Sequence, residues 1–312
     1  MREHAILDNR ITLQKLEVFC AVVNYGGVGK AATALFMTQS VVSAHLRSLQ
    51  ERMGLNLLER DGRNVRLTAA GRSVFLWASQ VLRGRADLAK ELVGHADGVA
   101  GSVTIGAGIA VGNHLLPDLL VDFRFKYSGA NITVYNSSVE TALQGVKEGS
   151  LDYCFVATYQ TLDAATFDSR LVGRPKYTLI AAPDAPIPDR IDVADLATLQ
   201  FICPPRGSRI RASQDFALST IGVTDRHVVM ELGSSESIKR AVARNLGVAL
   251  IWRVTVEREI NEGNFREIAI EGYSLHDNLF CVQPRGTLLT PFQLRVRDAL
   301  VEGVGRRLAR TT

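Results

Sequence analysis

Residues 27–60, GVGKAATALFMTQSVVSAHLRSLQERMGLNLLER, decide how this chain reads. Ala31, Ala32 and Leu35 give a short helix with a small apolar face, closed by Met37. Thr38 then opens a longer helix in which Val42, Leu46, Leu49 and Met53 recur at spacings of 4, 3 and 4. Threonine is a favoured N-cap, because its hydroxyl accepts a backbone N–H of the first turn. Two helices joined by so short a break must cross steeply, and the alanines allow close approach. This is the helix-turn-helix arrangement, which offers the start of its second helix to the DNA major groove.

The flanks extend the pattern. Leu13, Leu16, Phe19, Cys20 and Val23 mark an amphipathic helix that packs behind the pair, and Gly54 ends the recognition helix. Leu57-Leu58 and Val65-Arg66-Leu67 flank Asp61-Gly62, a dipeptide favoured in two-residue hairpin turns. That hairpin is a wing carrying Arg60, Arg63 and Arg66, well placed to hold phosphates. From Thr68 to about Gly94 no proline interrupts a long helix, and Phe75, Ala78, Leu82, Ala86, Ala89 and Val93 recur as in a coiled-coil seam. The stripe packs either on a second copy or on its own chain; helix length and seam spacing favour the dimer.

Charge agrees with this division. Residues 1–98 hold 13 Lys/Arg and 9 Asp/Glu, whereas residues 99–312 hold 23 of each, so the whole net charge of +4 lies beside the helix-turn-helix. Such asymmetry fits one domain that meets phosphate and one that does not. No apolar run approaches 18 residues, and the N-terminus lacks a signal-peptide core, so a cytoplasmic protein without membrane contact is expected. Cys20, Cys154, Cys203 and Cys281 are scattered singly, which reads as buried free thiols in a reducing compartment rather than a metal site.

HADGVAGS (95–102) is a glycine-marked linker. Beyond it strands alternate with helices: SVTIGAG, NITVYNS, LDYCFVAT, YTLIAAP, QFICPP, HVVMEL, GVALIWR and LFCVQP read as strands. The pattern predicts an α/β fold with mainly parallel sheets. Pro-rich PDAPIPDR (183–190) divides it, which favours two small lobes with a cleft between them.

At this point the chain resembles the LysR-type transcriptional regulators, from about Ile11 to its end. ITLQKLEVFCAVV, KAATALFMTQSVVSAHLRSLQERMGLNLLER and VRLTAAGR all fit that family's DNA-binding pattern. The resemblance implies an N-terminal winged helix-turn-helix (1–67), a dimerising linker helix (68–97) and a two-lobed effector domain of periplasmic-binding-protein type (98–312). The lobes would be about 101–173 with 275–312, and 174–274. It also implies a homodimer assembling to a homotetramer on double-stranded promoter DNA, a small-molecule effector, contact with RNA polymerase, and no cofactor, metal or catalytic residue. ELGSSESIKRAVARNLGVALI (231–251) is most like the branch with carbon-fixation and cysteine-biosynthesis regulators.

Carried onto this sequence, the DNA-contacting residues are Thr38, Gln39, Ser40, Ser43, His45, Arg47, Arg63 and Arg66. Gln39 suits direct readout, because its amide can pair bidentately with adenine. Thr38, Ser43 and the arginines suit the phosphate backbone. Arg47 also has Glu51 one turn away as an ion-pair partner, and His45 either contacts DNA or faces solvent. The sequence departs from the family at Ser40, where proline is common, and at Ala44, which cannot donate to a base edge.

The implied effector contacts lie on strand-to-helix loops: Gly108, Ile109, Ser137, Ser138, Gly207, Ser208, Gly233 and Ser234. Such helix starts suit an anionic effector, although each serine could serve as an N-cap alone. Gly108, Ile109 and Ala110 replace the family's hydroxyl residues, which points to a ligand less polar on that side or an anion held by the second lobe. Arg206, Arg209 and Arg211 offer charge there. An enzyme fits poorly: Gly106, Gly108 and Gly112 are spaced too widely for GxGxxG, and no GxSxG, HExxH or Walker lysine occurs.

Overall fold

The computed structural model describes residues 11–61, 64–93 and 100–310. The chain divides into two compact units, with the main boundary in sequence after Gly101.

In the first unit α1 (Leu13–Asn24), α2 (Val28–Ala34) and α3 (Gln39–Met53) precede a hairpin of β1 (Leu58–Asp61) and β2 (Asn64–Leu67), then α4 (Ala69–Val93). Thr38 caps α3 by accepting from the Val41 N–H, and Gly54 closes it in the left-handed region at φ 63. Val42, Leu49 and Met53 are buried, Val42 against Ala31 and Ala32 of α2 and the other two against Leu16 and Phe19 of α1. Gly71, on the first turn of α4, is required: a Cβ there would lie 1.9 Å from the Leu57 carbonyl oxygen.

Two expectations change here. The antiparallel ladder pairs Asp61 with Asn64, so Asp61 belongs to the strand and the connection is residues 62–63, which lie outside the described residues. The start of the α4 seam is also used within the chain. Phe75, Ala78 and Leu82 join the cluster built on Leu16 and Phe19, with the Phe75 ring edge-on to Phe19 at 6.3 Å. Leu88 further along is 54% exposed, while the side chains of Ala86, Ala89 and Val93 are not described.

The second unit runs β3 (Gly101–Gly108), α5 (Ile109–His114), α6 (Leu116–Lys126), β4 (Ala130–Ser137), α7 (Val139–Lys147), β5 (Tyr153–Ala157), β6 (Phe167–Gly173), β7 (Tyr177–Ala181) and β8 (Arg190–Ile191). There follow β9 (Gln200–Cys203), α8 (Arg209–Ser219), β10 (His227–Glu231), α9 (Ser235–Ala243), β11 (Ala249–Trp252), α10 (Glu257–Asn261), β12 (Arg266–Ile270), β13 (Leu279–Pro284) and α11 (Pro291–Arg310). One sheet has the order β4-β3-β5-β13-β6 and another β11-β7-β12-β8, while β9 pairs with β10 and touches the second sheet through a Phe201–Val248 bridge.

The sheets are mixed rather than mainly parallel. β13 runs antiparallel to β5 and β6, and β7 antiparallel to β11 and β12, whereas β3–β5, β9–β10 and β8–β12 are parallel. The chain passes between sheets twice, at 174–176 and 271–278, with no crossover helix to impose a parallel entry. These two passages are hydrogen-bonded to each other: Lys176 bridges His276, the Tyr177 N–H donates to Leu275 and the Asp277 N–H to Pro175. The strands β6, β8 and β12 were not legible in the sequence; β6 is largely exposed and carries no continuous apolar run.

Candidate DNA-reading face and effector pocket

Gln39, Ser43 and Arg47 stand four residues apart on α3 and are all exposed, so they form one stripe along the helix, with Ser40 and Ala44 beside it. Arg47 makes no ion pair with Glu51 among the described residues. Thr38 and Ser40 bond each other through their hydroxyls at 2.9 Å while Thr38 caps the helix, so both are partly committed to the helix start. His45 is half-buried and flanks the stripe. The Gln39 amide rests against α2, where a Cβ built on Gly29 would meet its Nε2 at 3.3 Å. On the wing, Arg66 lies opposite Glu59 and bonds it at 2.8–2.9 Å, a partner the sequence reading missed because the hairpin register alone creates it. Arg63 lies outside the described residues.

In the second unit the first residues of four helices surround one pocket: Ile109 of α5, Val139 of α7, Arg209 and Ile210 of α8, and Ser235 of α9. Each helix follows the end of a strand in chain order, an arrangement that brings helix N-termini with their unpaired N–H groups to one place. The cavity measures about 110 Å³, and its walls are mainly Val111, Leu232, Ile238, Ile251 and Trp252. Ser234 and Ser208 cap their own helices, their hydroxyls accepting from the Ser237 and Arg211 N–H groups. The Ser235 hydroxyl has no partner among the described residues.

Two charged groups stand in this pocket. Arg209 reaches across it, bonding Glu140 of α7 through Nε and Gln160 through Nη1 at 2.5 Å. Asp277 is buried and accepts from the Tyr177 hydroxyl at 2.9 Å and from the Asn278 N–H at 2.8 Å. Burial pushes the Asp277 carboxyl up despite these bonds and others from Trp252 and Ser213, and burial likewise pushes the Tyr177 phenol well up. Among the described residues no group of three or more His, Cys, Asp or Glu side chains is placed to hold a metal. No helix among them is long and apolar enough to cross a membrane.

Comparison with known proteins decides the family. Residues 13–72 match the bacterial regulatory helix-turn-helix protein, lysR family, and residues 96–305 match the LysR substrate binding domain. The chain belongs to the LysR family. It is 31% identical to a probable RuBisCO transcriptional regulator of Cyanidioschyzon merolae, over 88% of this chain and 92% of that protein. It is 28% identical to the RuBisCO operon transcriptional regulator of Allochromatium vinosum, over 95% and 97%. Among solved structures, a full-length OxyR variant from Pseudomonas aeruginosa superposes with a TM-score of 0.70 at 18% identity, covering 95% of this chain and 98% of that one. Full-length CbnR in complex with its target DNA gives 0.66 at 17%, covering 95% and 99%. These two likenesses concern the fold.

As a LysR regulator, the protein is a DNA-binding transcription factor with an effector-binding domain, from a family of regulators rather than enzymes. Of the effector contacts expected from its sequence, Gly108, Ile109, Gly233 and Ser234 line the pocket. Ser137, Ser138, Gly207 and Ser208 are not among its lining residues. Ser138 instead accepts from the Thr141 N–H at the start of α7, and Gly207 lines a separate groove. Of the three arginines, only Arg209 faces the pocket; Arg211 is buried against Asp215 and Glu231, and Arg206 is exposed beside Glu231. The reading missed Ser213, Gln214, Trp252 and Asp277, which arrive from distant segments and carry no local motif.

Proposed function

We propose that this LysR regulator acts as a homodimer through the exposed part of α4, assembles further on promoter DNA, and answers a small effector with an apolar body and a single anionic group. The two domains would divide at the linker helix, near residues 67 and 97. Gln39 reads bases, Ser43 and Arg47 hold the adjoining backbone, and the wing arginines hold phosphates, with RNA polymerase as the downstream partner in the cytoplasm. The observation that carries the effector reading is the pocket itself, whose lining combines helix starts, the Ser235 hydroxyl and Arg209 with Ile, Val, Leu and Trp side chains. Arg209 is already shared with Glu140, and the carboxyl of Asp277 lines the same pocket. A multiply charged phosphate ester would lack counter-charge there, so the anionic expectation narrows to one carboxylate-sized group.

The relatives named as RuBisCO regulators support a carbon-fixation operon as the target. A relative of equal identity to the second of these, YeiE of Escherichia coli, is named only as an uncharacterized HTH-type regulator. A gel shift with DNA upstream of carbon-fixation genes tests the target, and a thermal-shift screen of apolar monocarboxylates against sugar phosphates tests the effector. Specific binding should weaken steeply with salt as counterions are released. If only sugar phosphates stabilise the effector domain, the effector reading fails; if that DNA shifts no better than unrelated DNA, the target reading fails.

A further inference from the structure

Helix α8 is a wall shared by two cavities. Arg209, Ile210, Ser213 and Gln214 face the effector pocket. Arg211, Ala212, Asp215 and Leu218 instead line a groove of about 360 Å³, which Arg206-Gly207 and the loop Val223–Arg226 complete.

Arg226 is the telling residue. It is 7% exposed, its Nη2 donates to Asp215 at 2.5 Å, and its guanidinium lies over the Phe201 ring, 5.4 Å from the centroid. Its Nε and Nη1 have no hydrogen-bond partner among the described residues. A ring beneath the guanidinium attracts the charge but accepts none of the N–H bonds that lie in the plane. Buried charged donors without acceptors are costly and uncommon in native proteins, and an acceptor in the adjoining groove removes that cost.

The neighbouring groups do not supply it. Arg211 takes Asp215 at 2.9 Å and the Pro204 carbonyl at 3.4 Å, with Glu231 at 3.5 Å. Asp215 therefore serves two arginines already. Asp225 accepts from the backbone N–H of Arg226 at 2.8 Å, not from its side chain. Arg206, with its side chain 78% exposed and 3.8 Å from Glu231, is the arginine able to swing over an ion held below it.

We propose that this groove binds a small oxyanion of the phosphate class, held from the buried side by Arg226 and from the solvent side by Arg206. A phosphate presents acceptor oxygens in four directions, which suits donors that approach from opposite sides; a planar carboxylate serves one edge. Bound there, the ion sits against the same helix that carries Arg209 into the effector pocket.

The test is thermal unfolding and calorimetric titration of the full chain with inorganic phosphate, against chloride at matched ionic strength. Phosphate should stabilise the protein beyond chloride. Arg206→Ala, a change at an exposed position, should weaken phosphate binding roughly tenfold, the scale of one lost charge-assisted hydrogen bond. Arg226→Gln should abolish it, and if that variant does not fold, Arg206→Ala carries the test. Arg209→Gln should leave phosphate binding unchanged. Glycerol phosphate then separates the sources: tighter binding than inorganic phosphate identifies a phosphomonoester, and equal binding the free ion. An equal response to phosphate and chloride overturns the proposal, as does a phosphate response that Arg209→Gln removes and Arg206→Ala does not.

Discussion

The guanidinium of Arg209 on α8 bonds the carboxylate of Glu140 on α7 beside the proposed effector pocket. Seven residues along the same helix, the Phe216 ring stacks on Tyr159 with centroids 4.7 Å apart and planes 16° from parallel. α8 is thus fastened to the segment around β5 and α7 at two points, two helical turns apart.

Glu140→Gln should loosen this fastening. Burial pushes the Glu140 carboxyl up, but the bond from Arg209, a backbone N–H and Ser138 outweigh it, and the net shift is downward. A carboxyl depressed in the folded state stabilises above its unfolded range and loses that contribution as pH falls through the folded value. Acidification into and below the ordinary carboxylate range should therefore destabilise the native protein more than Glu140→Gln. Thermal melts across that pH range check this; parallel curves would mean the contact contributes nothing measurable.

Gly29→Ala should separate stability from base preference. Alanine gains up to about 1 kcal/mol over glycine within a helix, and less in the first turn, where Gly29 lies. Its Cβ would meet the Gln39 amide at 3.3 Å, so this side chain must give way. The variant should melt no lower than the parent yet discriminate less between DNA sequences in competition gel shifts. Unchanged discrimination would remove Gln39 from base readout.

Phe36→Asn should stabilise the helix-turn-helix. Phe36 sits in the turn at φ 55 and is 98% exposed, so it carries left-handed strain and buries almost nothing. Asparagine tolerates that region, and a gain of about 0.5–1 kcal/mol is expected in chemical denaturation. Loss of stability would show that the Phe36 ring has a partner in solution.

Glu59→Gln should strengthen DNA binding at low salt. It removes the carboxylate bonded to Arg66 on the opposite wing strand. With that charge gone, binding should tighten for all sequences and its salt dependence steepen by roughly one counterion. If affinity is unaltered, Arg66 belongs to the hairpin rather than to the phosphate contacts.

Much of the first unit was legible because its signals are local. Thr38 and Gly54 bound α3 through bonds to residues three or four positions away, and the 4-3-4 spacing of Val42, Leu46, Leu49 and Met53 sets one face. The effector domain was legible only in part. Strand β12, REIAI, is short and half-polar, and its ladder partners at Ala181 and Arg190 are more than 70 residues away in sequence. Without it and the two helix-free passages between sheets, the strand directions could not be deduced.

By itself, then, the sequence determined the helix-turn-helix, the charge division and the alternation of strands and helices, since periodicity and capping act between near neighbours. Only the tertiary structure decided which ends meet. Folding paired Arg66 with Glu59, set Phe75 and Leu82 against α1, brought Arg209 to Glu140 and Tyr177 to Asp277, and left Ser137, Ser138, Gly207 and Ser208 outside the pocket lining. Contacts of that kind depend on strand register and chain crossing, which bring together residues with no pattern in common along the chain.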